Sequence, residues 1–252
     1  MTKPIALDLY CCAGGATRGL QMAGFHVIGV DNVPRPNYCG DEFKLMDALG
    51  ALRILARAER LMHRNWAMGS FRPVLIHASC PCQEDNTLTR GTNASKGWGA
   101  EHVQLVPETR RLLDIIGIPY VIEQPSGGTM IRKDLTLCTD MFDTGPAPWV
   151  RRHRDFEISG FTVPQPVHPK GPVAGHRGYV RGYRGRHGDT PGFFRDGPYV
   201  AAYGEGGGKA TVKEMQHALG IDWTDVREEL TEALPVWYTE YIGRSFLAQS
   251  PT

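Results

Sequence analysis

The chain has 252 residues, 41% of them hydrophobic and 22% charged, as in an ordinary globular protein built as one large domain or a domain with a small appendage. No run approaches the roughly 20 apolar residues of a membrane span, and a net charge of +1 leaves any nucleic-acid surface to be found locally. The opening MTKPIALDLYCC is too short and too soon acidic for a secretion signal, so a cytoplasmic protein is expected, with its six cysteines (Cys11, Cys12, Cys39, Cys80, Cys82, Cys138) held as thiols.

PIALDLY (4–10) reads as a buried strand, followed by a glycine-rich turn and a helix near 15–23. HVIGVD (26–31) is a second strand. Residues 49–66 carry Ala51, Leu52, Leu55, Ala58, Leu61, Met62 and Trp66 at helical spacing. PVLIHA (73–78) and PYVIE (119–123) are further buried strands, separated by a helix that contains ETRRLLDIIG. Strands alternating with helices predict a mostly parallel sheet with helices on both faces, a Rossmann-like α/β fold.

After residue 143 the periodicity fades. Eight of the eighteen prolines fall between 146 and 198, so 160–208 is expected to be irregular, with RDFEIS (154–159) the one strand-like stretch before it. Long irregular segments in compact domains are usually functional or disordered. Regular structure is expected to resume at TVKEMQHALG (211–220), where Thr211 and Glu214 form a capping box and Gly220 ends the helix. A last helix follows Pro235, with Trp237, Tyr241, Ile242 and Phe246 available for packing.

Two stretches carry candidate chemistry. In DLYCCAGGATRG (8–19) glycines follow the first strand, where open α/β sheets bind ligands, and Asp31 ends the second strand, placed to accept from a ribose's hydroxyls. The loop matches neither G-x-G-x-x-G nor a Walker sequence, so the alternative is a tight strand-to-helix turn with Asp31 as a local cap. In SCPCQEDNT (79–87) Cys82 follows a strand and a proline and opens a polar loop, as an accessible nucleophile would; a buried structural cysteine is the plainer alternative. Cys80 and Cys82 with Cys11 and Cys12 lack the C-x₂-C or histidine spacing of zinc sites, and no metal is expected.

Taken in order, these motifs resemble those of the DNA cytosine-C5 methyltransferases. DLYCCAGGATRGLQMAGF is similar to the family's cofactor-binding motif, PCQ (81–83) to its nucleophile motif and VIEQP (121–125) to its Glu-Asn-Val motif. RRHR (151–154) resembles its paired-arginine motif, and TEALPVWYTEYIG (231–243) the C-terminal motif that closes the cofactor site. The resemblance covers 5–159 and 211–247 and implies a catalytic domain of 1–159 with 209–252 in an S-adenosylmethionine-dependent methyltransferase fold, interrupted by a short target-recognition segment, 160–208. It is the small, stand-alone type carried by phages and bacteria that the chain is most similar to.

The resemblance implies a catalytic set of Cys82 as nucleophile, Glu123 at cytosine N3, Arg154 at O2, and Arg152 orienting the loop or a phosphate. For S-adenosylmethionine it implies Tyr10 on the adenine, Asp31 on the ribose and Asp47 near the adenine amino group, with Asp8, Cys11, Cys12, Ala13, Gly14, Gly15, Asn32 and Pro81 around them. The family's asparagine is Gln124 here, its valine Pro125, and the glutamine of the arginine motif is replaced by Val150, changes that alter bracing without removing a catalytic group. Between 175 and 197 five arginines interleave with Tyr179, Tyr183, Phe193 and Phe194, which suits phosphate contact and base stacking. Gln83, Arg177, Arg181, Arg184 and Arg186 are the expected DNA contacts. The expected partner is double-stranded DNA, bound by a monomer; a restriction enzyme or a downstream base-modifying enzyme has no signature in the sequence. RNA is the alternative substrate, and a non-enzymatic nucleic-acid module the third reading, disfavoured because Cys82, Glu123 and Arg154 are all present.

Overall fold

The computed structural model describes residues 2–62, 72–81, 104–169, 175, 177–180, 183–185, 188–203 and 209–249. Seven strands form one sheet: β1 (Ile5–Leu9), β2 (His26–Asp31), β3 (Glu42–Leu45), β4 (Leu75–Ser79), β5 (Tyr120–Pro125), β6 (Leu135–Leu137) and β7 (Arg154–Ser159), in the spatial order β3-β2-β1-β4-β5-β7-β6. The first five run parallel, and β7 lies antiparallel between β5 and β6. This is a Rossmann-like α/β fold, as the sequence predicts.

Helices cover both faces. Against one face lie α1 (Gly15–Ala23) and the last helix, α6 (Val236–Leu247), with Leu20, Phe25, Leu75, Phe156, Tyr238 and Ile242 buried between. Against the other lie α2 (Ala48–Met62) and α3 (Val106–Ile116), over Leu7, Ile28, Leu52, Ile76, Leu113 and Ile122. Covered on both sides, the central strands are apolar almost throughout. Two of the exceptions pair with each other: Asp8 and His77 are opposite in the β1–β4 register, both buried, with His77 Nδ1 2.8 Å from Asp8 Oδ1.

α1 and α6 cross very closely. A Cβ on Gly19 would lie 2.1 Å from the Val236 carbonyl, and Thr239 donates from Oγ1 to the Ala16 carbonyl at 2.7 Å. A smaller core joins Val150, Val200 and Ala202 to α4 (Val212–Leu219) and α5 (Arg227–Glu232) through Met215, Leu219 and Leu230. The capping box of Thr211 and Glu214 forms as expected, and Gly220 ends α4 in the left-handed conformation.

The irregular reading of 160–208 needs correction at its centre. There β8 (Gly178–Val180) pairs with β11 (Phe193–Arg195), and β9 (Tyr183–Gly185) with β10 (Gly188–Thr190), all antiparallel. Three-residue strands rich in glycine and arginine show no alternation long enough to read. The predicted helix over 49–66 is described to Met62, its last turn lying outside the described residues. No described helix is long and apolar enough to cross a membrane.

Candidate active site at the carboxyl ends of the parallel strands

In the order β3-β2-β1-β4-β5, chain connections diverge between β1 and β4. Ligands of open α/β sheets bind in the crevice outside the carboxyl ends at such a switch point. Two turns flank it here, 10–14 after β1 and Cys80–Pro81 after β4. The first holds uncommon geometry: Tyr10 and Cys12 have φ of 59° and 47°, a conformation that costs a non-glycine residue about 1–3 kcal/mol and persists only where its surroundings enforce it.

Asp31 does much of the enforcing. Its Oδ2 accepts from the Cys12 N–H at 3.0 Å, its Oδ1 from the Val33 N–H at 3.0 Å, and Arg35 Nε lies 3.1 Å from Oδ2. A carboxylate offers about four acceptor positions, so three are taken. Arg35 is the residue that sequence reasoning missed here; its signal was a basic residue four places after the acidic end of β2.

The other residues expected around a cofactor divide into two groups. Tyr10 is half-buried, its hydroxyl 3.1 Å from Thr109 Oγ1, and burial raises its pKa, so the ring is held as a neutral platform. Asp47 caps α2 by accepting the Gly50 N–H at 2.7 Å through Oδ2 and is otherwise exposed; Asn32 and Pro81 are exposed at the rim. Asp8, by contrast, lies beneath the crevice floor, engaged by His77 and by the Thr17 hydroxyl at 2.5 Å. Cys11, Ala13, Gly14 and Gly15 are buried as well. The glycines answer to protein neighbours rather than to a ligand: a Cβ on Gly15 would fall 2.4 Å from the Leu234 carbonyl, and one on Gly14 2.8 Å from Cys39 Sγ. Trp223 Nε1 donates to the Ala13 carbonyl at 2.8 Å, so the C-terminal part of the chain clasps this turn from outside.

At the far side of the crevice, β5 and β7 bring two expected catalytic groups together. Glu123 is buried, and Arg154 Nε lies 2.8 Å from its Oε1. Beside them the buried Gln124 donates from Nε2 to the Cys80 carbonyl at 2.7 Å, so the side chain in the asparagine position still reaches and braces the loop that leads to residue 82. Cys80 itself is buried beneath Tyr10 and Thr109, and burial pushes its thiol up to about 12. Cys82 and Gln83 lie outside the described residues.

Two arginines have partners other than those expected. Arg152 is buried and spends its guanidinium on backbone carbonyls: Nη2 donates to Ala202 at 2.9 Å and to Thr231 at 2.7 Å, and Nη1 to Ala233. Tyr238 returns a hydrogen bond to the Arg152 carbonyl. Burial, with Arg154 nearby, pulls the Arg152 pKa below the ordinary arginine value. It is a clamp between the end of α5 and residue 202. Arg177 meets Glu214 with two bonds of 2.7 Å, Nη1 to Oε1 and Nη2 to Oε2, and holds the Glu214 carboxyl down at about 2. Of the other expected DNA contacts, Arg184 sits in β9 and Arg181 and Arg186 lie outside the described residues.

Replacing Arg152 with alanine leaves three carbonyls without their charged donor. At about 1.5–3 kcal/mol per hydrogen bond to a charged group, less what entering water restores, the loss of stability is about 3–5 kcal/mol. Urea unfolding with an unchanged slope and a lower midpoint is the expected result; a midpoint equal to that of the parent shows the clamp to be dispensable.

No family model and no curated protein matches the chain. Among solved structures, it is similar to a chain described as a DNA modification methyltransferase encoded within a prophage of E. coli, with a TM-score of 0.53, 13% identity, and coverage of 97% of this chain and 99% of that one. At that identity the likeness concerns the fold, over its whole extent.

Proposed function

We propose that the chain transfers a methyl group from S-adenosylmethionine to C5 of cytosine in DNA, through a covalent bond between Cys82 and C6 of a base turned out of the helix. The observation that carries this reading is the buried Glu123 paired at 2.8 Å with the half-buried Arg154, beside the Gln124 brace on the Cys80 carbonyl. A carboxyl group, a fixed cation and a braced loop ending in a thiol are what cytosine needs to accept a nucleophile. The prophage-encoded neighbour's description supports DNA as substrate and a methyl group as cargo.

The residues present suit the cofactor. Asp31 gains two acceptor positions for a ribose once Arg35 moves, Tyr10 offers a held aromatic face, and Asp47 keeps a free carboxylate oxygen at the rim. When bound, S-adenosylmethionine supplies an electrophilic methyl carbon on a sulfonium. The protein must make cytosine C5 nucleophilic enough to take it.

In this reading the Cys82 thiolate adds to C6. The displaced electron pair is drawn towards N3 and O2, where Glu123 gives a proton through Oε2 and Arg154 donates a hydrogen bond. C5 then carries enamine density and would take the methyl carbon as its bond to the sulfonium sulfur breaks to leave a neutral thioether; C5 loses its own proton to a base, the thiolate leaves as the C5–C6 double bond re-forms, and N3 returns its proton to Glu123. Turning the base out costs a few kcal/mol of stacking, which backbone contacts along 175–197 offset.

Bisulfite sequencing of DNA from cells expressing the chain tests the reaction: protected cytosines in a short context of about two or three base pairs are expected, since each bidentate base contact contributes about 1–3 kcal/mol and short strands present few. Unprotected DNA sinks the proposal, and protected RNA moves it to the other substrate. The cofactor assignment has its own test. Asp31→Ala weakens S-adenosylmethionine binding by about 1.5–3 kcal/mol in calorimetry; unchanged affinity in a folded variant places the ribose elsewhere.

A further inference from the structure

The β6 edge of the sheet, at the same carboxyl ends of the strands as the crevice but beyond β5, gathers three ligand-bearing side chains that the methyl-transfer reading does not use. Cys138 follows β6 and His153 precedes β7, so they continue the antiparallel register one step past the last pair, Leu137–Arg154. His168 comes from the crossing segment 160–169. That segment is tied to β6 by Gln165, which accepts the Thr136 N–H at 3.0 Å and donates to the Thr136 carbonyl at 2.8 Å, and to α6 by Tyr241, whose hydroxyl donates to the Pro164 carbonyl at 2.9 Å. Three anchored segments thus deliver one sulfur and two imidazoles whose ligand atoms all lie within 4.8 Å of one another.

We infer that Cys138, His153 and His168 bind one zinc-class divalent ion. Tetrahedral bonds of about 2.0–2.3 Å put ligand atoms about 3.5 Å apart, within small rotations of the present arrangement. A second, independent feature points the same way: His168 Nε2 is buried with no hydrogen-bond partner, while its Nδ1 lies 3.0 Å from the Pro169 carbonyl. A second-sphere carbonyl on one ring nitrogen, with the other left bare, is the usual preparation of an imidazole for a metal. The rings of His153 and His168 are stacked at 5.4 Å, which keeps them adjacent without satisfying that nitrogen. Charge does not forbid a cation, because Arg151 beside His153 is neutralised by Asp140, 2.6 Å from Nε. His153 is exposed, so a fourth position opens to solvent and takes water.

A thiolate with two imidazoles selects zinc or cobalt over the hard, oxygen-seeking magnesium and calcium ions. Binding releases the Cys138 thiol proton to solvent as the sulfur–metal bond forms, with no change of oxidation state. The ion would pin the crossing segment to the sheet at the place where the chain leaves for 175–197. It would also hold the residue between Arg152 and Arg154, whose Nη1 donates to the His153 carbonyl at 3.0 Å.

Titrating chelator-stripped full-length protein with cobalt(II) tests the site. A thiolate-to-cobalt charge-transfer band saturating at one ion per chain is expected, bleached by one equivalent of zinc. Cys138→Ser should lose the band, and His168→Gln should weaken binding by about tenfold or more. His153→Gln, at an exposed position that leaves the fold intact by circular dichroism, should also weaken it. No band in the parent protein, a band that survives Cys138→Ser, or unchanged affinity in His153→Gln each overturns the inference.

Discussion

Replacing Glu123 with glutamine is expected to lower kcat for methyl transfer by about two to four orders of magnitude, the range that a positioned acid–base group contributes. The substitution keeps the volume of a buried side chain and one acceptor oxygen towards Arg154, so the sheet should survive it. In the proposed mechanism, what it removes is the proton that N3 needs as sulfur adds to C6. Turnover with tritiated methyl donor at saturating DNA measures the loss, with the melting temperature followed in parallel. A second effect has to be separated from the first: without the carboxylate, Arg154 loses the partner that aims it. The double variant Glu123→Gln with Arg154→Ala does this. If Glu123 acts only by holding Arg154, the two losses do not add, because the second change removes nothing further. If both groups touch the ring, the double variant is slower than either single one. A kcat for Glu123→Gln within tenfold of the parent would remove Glu123 from the chemistry.

Much of the sheet was legible because physics wrote it locally. β1, β2, β4 and β5 are apolar runs that only a doubly covered parallel sheet requires, and α4 carries its stop and start signals within ten residues. β3 was not legible: Glu42–Leu45 is a short edge strand with half its side chains exposed, and β6 is three residues long. The site divides in the same way. Asp31, Glu123 and Arg154 occupy the ends of strands, where order along the chain locates them. Gly15 looked like a ligand-facing glycine because its true neighbour, the Leu234 carbonyl, comes from the other end of the sequence. Arg152 and Arg177 looked like phosphate contacts for the same reason, since the Ala233 carbonyl and Glu214 that hold them are distant in the chain. A basic residue read without its tertiary partner will always look free.

Cys82→Ser should abolish the covalent complex with DNA carrying 5-fluorocytosine and lower methyl transfer by about four orders of magnitude or more, the scale of losing a nucleophile in covalent catalysis. The reasoning runs through the other thiols. Nucleophilic sulfur is thiolate, and burial disfavours the charged form. Burial raises Cys80 to about 12, Cys39 to about 12 and Cys12 to about 11, and it also raises Cys11 and Cys138. At neutral pH a thiol with a pKa near 12 is ionised in about one molecule in 10⁵, too little to attack a pyrimidine on a catalytic timescale. Cys82 is the one cysteine left, two residues beyond a carbonyl that Gln124 holds in place. Fluorine at C5 cannot leave as a proton does, so the adduct persists after methyl transfer and survives denaturing electrophoresis. Cys80→Ser should still trap, with reduced stability, because a hydroxyl then replaces a buried thiol beside Tyr10 and Thr109. Trapping that persists in Cys82→Ser, or that vanishes in a folded Cys80→Ser, would assign the attack to the wrong sulfur, and the braced loop would then be shaping the pocket rather than aiming a nucleophile.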